Sequence, residues 1–464
     1  MTAENDILAE RLLRRLFPIC RSITGEGVRE TLRILGEHAD FRIKEYASGT
    51  QVFDWTIPDE WTIRDAFIAD QDGNRLVDFQ ESNLHVVSYS RPVHERMSFS
   101  DLAPHLHTLP DQPDAIPYRT SYYKEDWGFC LTHAQYEALD RQATYSVVID
   151  SELAPGSLSL ADAVLEGTSG REYLISSYCC HPSMANDNLS GLVVATLLYR
   201  ALASRPLHHS YRFVLAPETI GAITYLAHHE TEMRRIAGGF VVTCCGGPGA
   251  FGYKETFLKS TIIDRAVAVA LRDADVSYTR FPFTPIGSDE RQYSSPGFRI
   301  PVGTIFKDRY YDNSYYHTSL DDLDFVKAEN VVAAFELYLA AIDILEGNRI
   351  FRSLAPNGEA QLGRRGLYPE TGGAFRQNAA GNDDAKIATD NRVDLMLWIL
   401  FLSDGDHDLI DVAEQSGFGF QEVVALARTL EDNGLIEDVE RSEPSGRPPA
   451  LRDDKSTRQE VPIE

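Results

Sequence analysis

SSYCCHPSMANDNLSG, residues 176–191, is the stretch on which the reading of this chain turns. It completes an apolar run, YLISSYCC at 173–180, that shows no polar alternation and so suits a strand covered on both faces. The run meets His181, Pro182 and the cluster Asn186-Asp187-Asn188 before LSGLVVATLLYRALA, 189–203, opens a helix. Asn and Asp make a turn or an N-cap, and alone they argue for nothing more. A turn does not need a histidine at the strand tip, and strand tips of open α/β sheets are where ligands and metals sit.

Outward from that stretch, the apolar runs YSVVID, ADAVLEG, YRFVLAP and GGFVVTCC alternate with helical patterns such as AITYLAHHETEMRRIA, and NVVAAFELYLAAIDIL at 330–345 closes the region. Strands alternating with helices predict an α/β sandwich of three layers. Residues 47–114 differ: QVFDWTI, RDAFIAD, NRLVDF and LHVVSYS are short β-rich segments broken by turn residues, which predicts a small inserted β domain. The expected division is 1–46 with 115–350 for the α/β domain and 47–114 for the insert. A linker at 351–386, a winged-helix-like domain at 387–445 and a tail at 446–464 complete it.

Three further segments also end an apolar run in reactive residues: LAPETIG, PIGSDERQY and YYHTSLDDLD. With the first stretch they supply His181, Asp187, Glu218 and His317. Two imidazoles and a carboxylate suit a metal, and a further unbound carboxylate suits the base that deprotonates the attacking water.

In these motifs the chain resembles the co-catalytic zinc aminopeptidases. Asp187-Asn188-x-Ser190-Gly191 is similar to the segment carrying that family's bridging aspartate, and Pro217-Glu218 to its general-base glutamate. Gly287-Ser288-Asp289 resembles its Ser-Asp loop, and Tyr316-His317-Thr318 with Asp321 its late Tyr-His-Thr motif. More closely, the whole chain resembles a bacterial aminopeptidase-like subfamily with an inserted β domain and a C-terminal winged helix. The resemblance implies His181, Asp187 and His317 as metal ligands and Glu218 as base, with Asp289, Glu290, Arg291 and Tyr316 orienting substrate. Ser183, Thr219 and Cys244 stand where the peptidases carry further carboxylates. Three remaining ligands imply one zinc per chain rather than two. Cys244 either donates a thiolate or is a buried thiol, and the commonness of free cysteine in cores favours the second.

The expected activity is therefore zinc-dependent hydrolysis of an amide or peptide bond. A zinc amidohydrolase or acyl transferase acting on a small non-peptide conjugate is one alternative. A non-enzymatic zinc scaffold that recruits a partner is another.

Composition narrows the partners. Among 464 residues, 44 Lys and Arg against 70 Asp and Glu give a net charge of −26, which opposes binding to nucleic acid or anionic membranes. The apolar run at 395–402 is too short for a membrane span, and the first 20 residues lack the pattern of a signal peptide. Six cysteines without a CxxC motif suit a reducing cytoplasm. RVDLMLWILFL, DLIDVAEQ and FQEVVALARTLEDNGLIE, separated by DGDH and SGFG turns and followed by a wing near IEDVERS, read as the winged helix. Its recognition-type helix has Arg428 as its one basic residue, against Glu422, Glu431 and Asp432. That charge favours a protein contact, including self-assembly through this domain or the insert, over DNA.

Overall fold

Every residue of strand Ser210–Ala216 is buried, as is every residue of Val302–Lys307 and Gly238–Val241. A strand with no exposed side chain must be covered on both faces, so these runs lie in the middle layer of a sandwich. The computed structural model describes the backbone of residues 2–367 and 384–439, with side chains in the second stretch from 392. The middle layer is an eight-stranded mixed sheet. Its order is Arg42–Ala47, Ser157–Leu165, Ser210–Ala216, Glu172–Tyr178, Gly238–Val241, Val302–Lys307, Phe251–Lys254 and Tyr278–Phe281. The four central strands, Ser210–Ala216 through Val302–Lys307, run parallel, and their carboxyl ends therefore open on one edge of the sheet. Helices Gly191–Ala203, Ile220–His228, Ile262–Asp273 and Ala328–Gly347 follow these and neighbouring strands. The α/β sandwich expected from the sequence is the observed fold.

The smaller sheet is antiparallel and four-stranded, in the order Arg75–Asp78, Glu60–Ala69, Thr144–Ala154, Val93–Ser98. Two expectations need correction here. YSVVID belongs to this sheet rather than the large one, so the β insert takes its longest strand from beyond residue 114. Its burial alternates, with Tyr145, Val147, Ile149 and Ser151 inward, as one-sided antiparallel strands require. LHVVSYS, expected as a strand, contributes only a 3₁₀ turn at Asn83–His85 and isolated bridges. One continuous apolar cluster runs from Trp61, Ile68 and Val77 of the insert to Leu158, Leu174, Val214 and Val241 of the large sheet. The insert thus shares a core with the sandwich, and Met1–Glu346 forms one compact unit.

The second unit starts at Gly347. Helices Asp384–Leu402, Leu409–Ser416 and Phe420–Asp432 accompany a three-stranded sheet of Asp404–Asp408, Ile350–Ser353 and Ile436–Asp438. DGDH is therefore a strand and not a turn, and Ile350–Ser353, placed at the domain–linker boundary, is the central strand of the winged-helix sheet. Of the apolar residues along these helices, Leu395, Leu402, Val412, Val423, Leu426 and Leu430 are buried and Trp398 is half-buried. Residues 368–383, the end of the wing and the tail lie outside the described residues. Among the described residues, no helix is long and apolar enough to cross a membrane.

Candidate metal centre and cleft

At the carboxyl edge of the parallel strands the chain leaves Tyr178 for Cys179, Cys180 and His181, then turns through Ala185–Ser190 into helix Gly191–Ala203. Backbone packing explains the glycine: a Cβ at Gly191 would sit 2.3 Å from Val242 O and from Asn188 Oδ1. The turn is clasped from within rather than capped. Asn188 Nδ2 donates to Ser177 Oγ at 2.9 Å, Asn186 Oδ1 accepts from Gly246 N at 2.8 Å, and Ser190 Oγ accepts from Cys245 N at 2.8 Å. Asp321 fixes it from the far side, its carboxylate accepting from Asn186 N at 2.6 Å and Asp187 N at 2.9 Å.

These clasps bring His181, Asp187 and His317 together, with one potential ligand atom from each within 4.8 Å of the others. Among the described residues this is the one such group of His, Cys, Asp or Glu. His317 Nε2 lies 3.0 Å from Asp187 Oδ2 yet makes no hydrogen bond, and is buried with no partner. An imidazole nitrogen and a carboxylate oxygen converging in this way suit a common cation between them. Asp187 Oδ1 also accepts from the Tyr178 hydroxyl. Burial works against its charge, but His181, His317 and that hydroxyl outweigh it and hold its pKa at about 2. Burial pushes His181 down to about 4, so its imidazole is neutral and free to ligate. Two imidazoles and an ionised carboxylate are a donor set that suits a metal ion. Cys244 is not part of the group. It is buried, burial pushes its thiol up, and its Sγ accepts from Thr243 Oγ1 at 3.4 Å.

Glu218 follows strand Ser210–Ala216 and places Oε2 3.8 Å from His181 Nε2, with a quarter of its side chain exposed. Burial raises its pKa well above the usual carboxylate range, with Asp289 and Asp187 adding to the rise and Arg291 opposing it. Asp289 accepts from Thr219 N at 2.8 Å, and burial pushes it up to about 7. Glu290 lies deeper: its Oε1 accepts from Thr304 Oγ1 at 2.7 Å and stands 3.4 Å from Lys254 Nζ. Arg291 donates to Thr219 Oγ1 at 3.3 Å and lines the cleft. Tyr316 stacks on His317 with ring centroids 3.9 Å apart.

The backbone around the centre is strained. Ser183, Thr219, Cys244 and His317 all have φ between 37° and 63° without being glycine. Such residues collect where a side chain must be aimed, and two of the four are in place for that: His317 itself and Thr219, next to Glu218.

A cleft of about 330 Å³ opens over the centre. Sequence reasoning missed most of its wall. Tyr118 packs against both histidines, with ring centroids 5.4 Å from His181 and 5.2 Å from His317. Arg119, Tyr122, Tyr123 and Trp55 continue the lining. Residues 116–121 form a strap pinned at both ends. Tyr118 N donates to His317 O at 2.8 Å and Ile116 N to Ser319 Oγ at 3.0 Å, while Ser88 N donates to Arg119 O at 2.9 Å. Beneath the centre, buried Arg21 donates through Nε to His181 O at 2.8 Å.

A mixed sheet with a His-Asp-His trio and a free glutamate at its carboxyl edge defines an aminopeptidase-like α/β protein. The family model described as a domain of unknown function, DUF4910, matches residues 10–348, and the chain belongs to that family. A winged helix-turn-helix model matches 349–438. A Clostridium acetobutylicum protein is 43% identical over 422 residues, covering 90% of this chain and 93% of its own. Its name assigns it provisionally to polysaccharide biosynthesis and gives it an aminopeptidase-like domain. A crystal structure from the same species, of a protein provisionally called a peptidase, superposes with a TM-score of 0.86 at 41% identity. It covers 94% of this chain and 97% of that one. A zinc aminopeptidase from Bacillus subtilis shares the fold at 13% identity, with a TM-score of 0.56 over 74% of this chain and 94% of that one.

Proposed function

We propose that this protein is a zinc-dependent hydrolase of an amide bond, aminopeptidase-like in fold and chemistry. The observation that carries the reading is the pairing of the His181–Asp187–His317 trio with a separate carboxylate, Glu218, on its open side. A closed structural site has no use for such a group. Zinc held by the trio would supply Lewis acidity toward the scissile carbonyl and the attacking water. Glu218 takes the water's proton and hands it to the leaving nitrogen, a task suited to a carboxylate whose pKa burial raises above the usual range. Tyr118 and Tyr122, joined through their hydroxyls at 2.7 Å, wall off water on one side. Asp289 positions the Glu218–Thr219 corner through the Thr219 amide. The Clostridium relatives, whose names point to a peptidase and an aminopeptidase-like domain, support this reading. Elemental analysis of mildly purified protein should give one zinc per chain, and screening aminoacyl anilides against acylated sugars should yield turnover. Two zinc equivalents, or none, would overturn the single-metal site.

A second reading, a zinc amidohydrolase or acyl transferase acting on a non-peptide conjugate, draws on the aromatic wall. Trp55 and Tyr123 meet edge to face at 5.0 Å, and the aromatic corner they form offers a ring face to the apolar side of a sugar. The polysaccharide-biosynthesis name of the Clostridium relative points the same way.

For the second unit the proposed partner is protein, not duplex. Phe401 is 77% exposed and lines a cleft of about 1010 Å³ with Trp398 and Phe418. The helix Phe420–Asp432 offers a duplex one arginine, so there is little counterion release to drive association. A gel-shift titration with duplex DNA should show no salt-sensitive shift; a tight one would reverse the assignment.

A further inference from the structure

The rim of the metal cleft carries two guanidinium groups, Arg119 and Arg291, in a protein whose net charge is −26. Both are exposed to solvent at the cleft, and among the described residues neither forms an ion pair. Each is placed by the site's own framework. Arg291 Nη2 donates to Thr219 Oγ1 at 3.3 Å, next to Glu218, and Thr219 is itself held by Asp289. Arg119 rides on the strap bonded to His317, and its Nη1 lies 3.3 Å from His107 Nδ1. Each contact engages one nitrogen and leaves the rest of the planar fork available.

The carboxylates tell the complementary half. Glu218 is the one carboxylate among the cleft-lining residues. Asp289 is buried behind it on the Thr219 amide, and Glu290 is buried against Lys254 and Thr304. An enzyme that grips a free amino terminus needs a carboxylate to pair the ammonium, besides the one that moves the proton. Here the positions that could serve are turned to structural work, and the rim presents like charge to an ammonium.

We infer that the cleft takes an amide bearing a negatively charged group, carboxylate or phosphate, and discriminates against a free amino terminus. The inference rests on the hydrolase reading for the amide but on the two arginines for the charge. The anion lies against Arg119 and Arg291, where the guanidinium forks accept it in paired hydrogen bonds. The apolar body of the molecule lies in the corner made by Trp55 and Tyr123.

The test uses the zinc-loaded full chain and three probes of matched size with no cleavable bond: 4-phenylbutyrate, 3-phenylpropylphosphonate and 4-phenylbutylamine. Calorimetric titration should show at least one of the two anions binding about 10-fold or more tighter than the amine. Arg119→Gln and Arg291→Gln should each weaken the preferred anion about 5- to 10-fold without weakening the amine, and Arg291→Glu should reverse the order. Which anion wins identifies the group carried by the natural molecule. The amine binding as tightly as both acids, an absence of binding by all three, or anion binding unchanged in the arginine variants would overturn the inference. The last result would place the attraction in the zinc alone. Because none of the probes reacts, failure to hydrolyse any amide would count against the proposed reaction and leave this outcome independent.

Discussion

Glu218→Gln is expected to keep the fold and the zinc while lowering turnover by at least ~10²-fold on whichever amide the screen identifies. The substitution is nearly isosteric and removes only the capacity to take a proton. Glu218 stands 3.8 Å from His181 Nε2 and lies outside the trio that could ligate, so the metal does not depend on it. Its backbone is held independently through Glu218 N to Cys180 Sγ at 3.2 Å and Thr219 N to Asp289 at 2.8 Å, so the corner keeps its shape. Steady-state kinetics alongside elemental analysis separate the outcomes. Turnover equal to wild type would move the base elsewhere, and loss of zinc with the variant would make Glu218 a ligand.

The second large effect is expected at Asp321, a residue that touches no substrate. Its two carboxylate oxygens satisfy the buried amides of Asn186 and Asp187, and Ala185 N reaches its carbonyl at 2.8 Å. Asp321→Ala leaves two buried N–H groups without acceptors, at about 1–3 kcal/mol each, a large fraction of the ~5–15 kcal/mol that holds a domain folded. It also frees Asp187 to drift from His317. Groups that orient a metal ligand typically change metal affinity by about 10–100-fold. A chelator competition on the purified variant should therefore show at least ~10-fold weaker zinc binding, with a lower melting temperature for the zinc-free protein. Zinc affinity equal to wild type would mean that the turn holds Asp187 without Asp321.

Half of the metal centre was legible because His181 and Glu218 follow runs of apolar residues. Parallel strands buried on both faces leave continuous hydrophobic stretches, and His181 and Glu218 stand conspicuously just past them. Asp187 and His317 came from motif likeness as much as from position. The cleft wall was opaque for the opposite reason. Tyr118 and Arg119 sit in a Pro-rich connection with no periodicity, and only tertiary hydrogen bonds to His317 and Ser88 bring them to the site. Glu290 shows a different limit: nothing local to SDERQ distinguishes a carboxylate facing the cleft from one buried against Lys254, whose strand lies far away in sequence. YSVVID could have been placed correctly, since its inward residues alternate. DGDHD could not, because Asp-Gly-Asp reads as a turn until Ile350–Ser353 supplies a pairing partner.

The strap at 116–121 has a consequence for how such a protein can diversify. Of the groups that would perform the reaction, His181 and Glu218 stand just past the ends of central strands and Asp187 in the buried turn that follows one, where a change disturbs the core. The groups that would choose the molecule, Arg119, Tyr122 and Tyr123, stand on a surface segment, joined by Trp55 from a two-stranded hairpin. Chemistry and taste are thus inherited on separate pieces of chain. A lineage can rewrite the strap and the two tyrosines that follow it and acquire a new diet while its hydrolytic apparatus passes down unaltered, provided the amide of residue 118 still reaches the carbonyl of the late histidine.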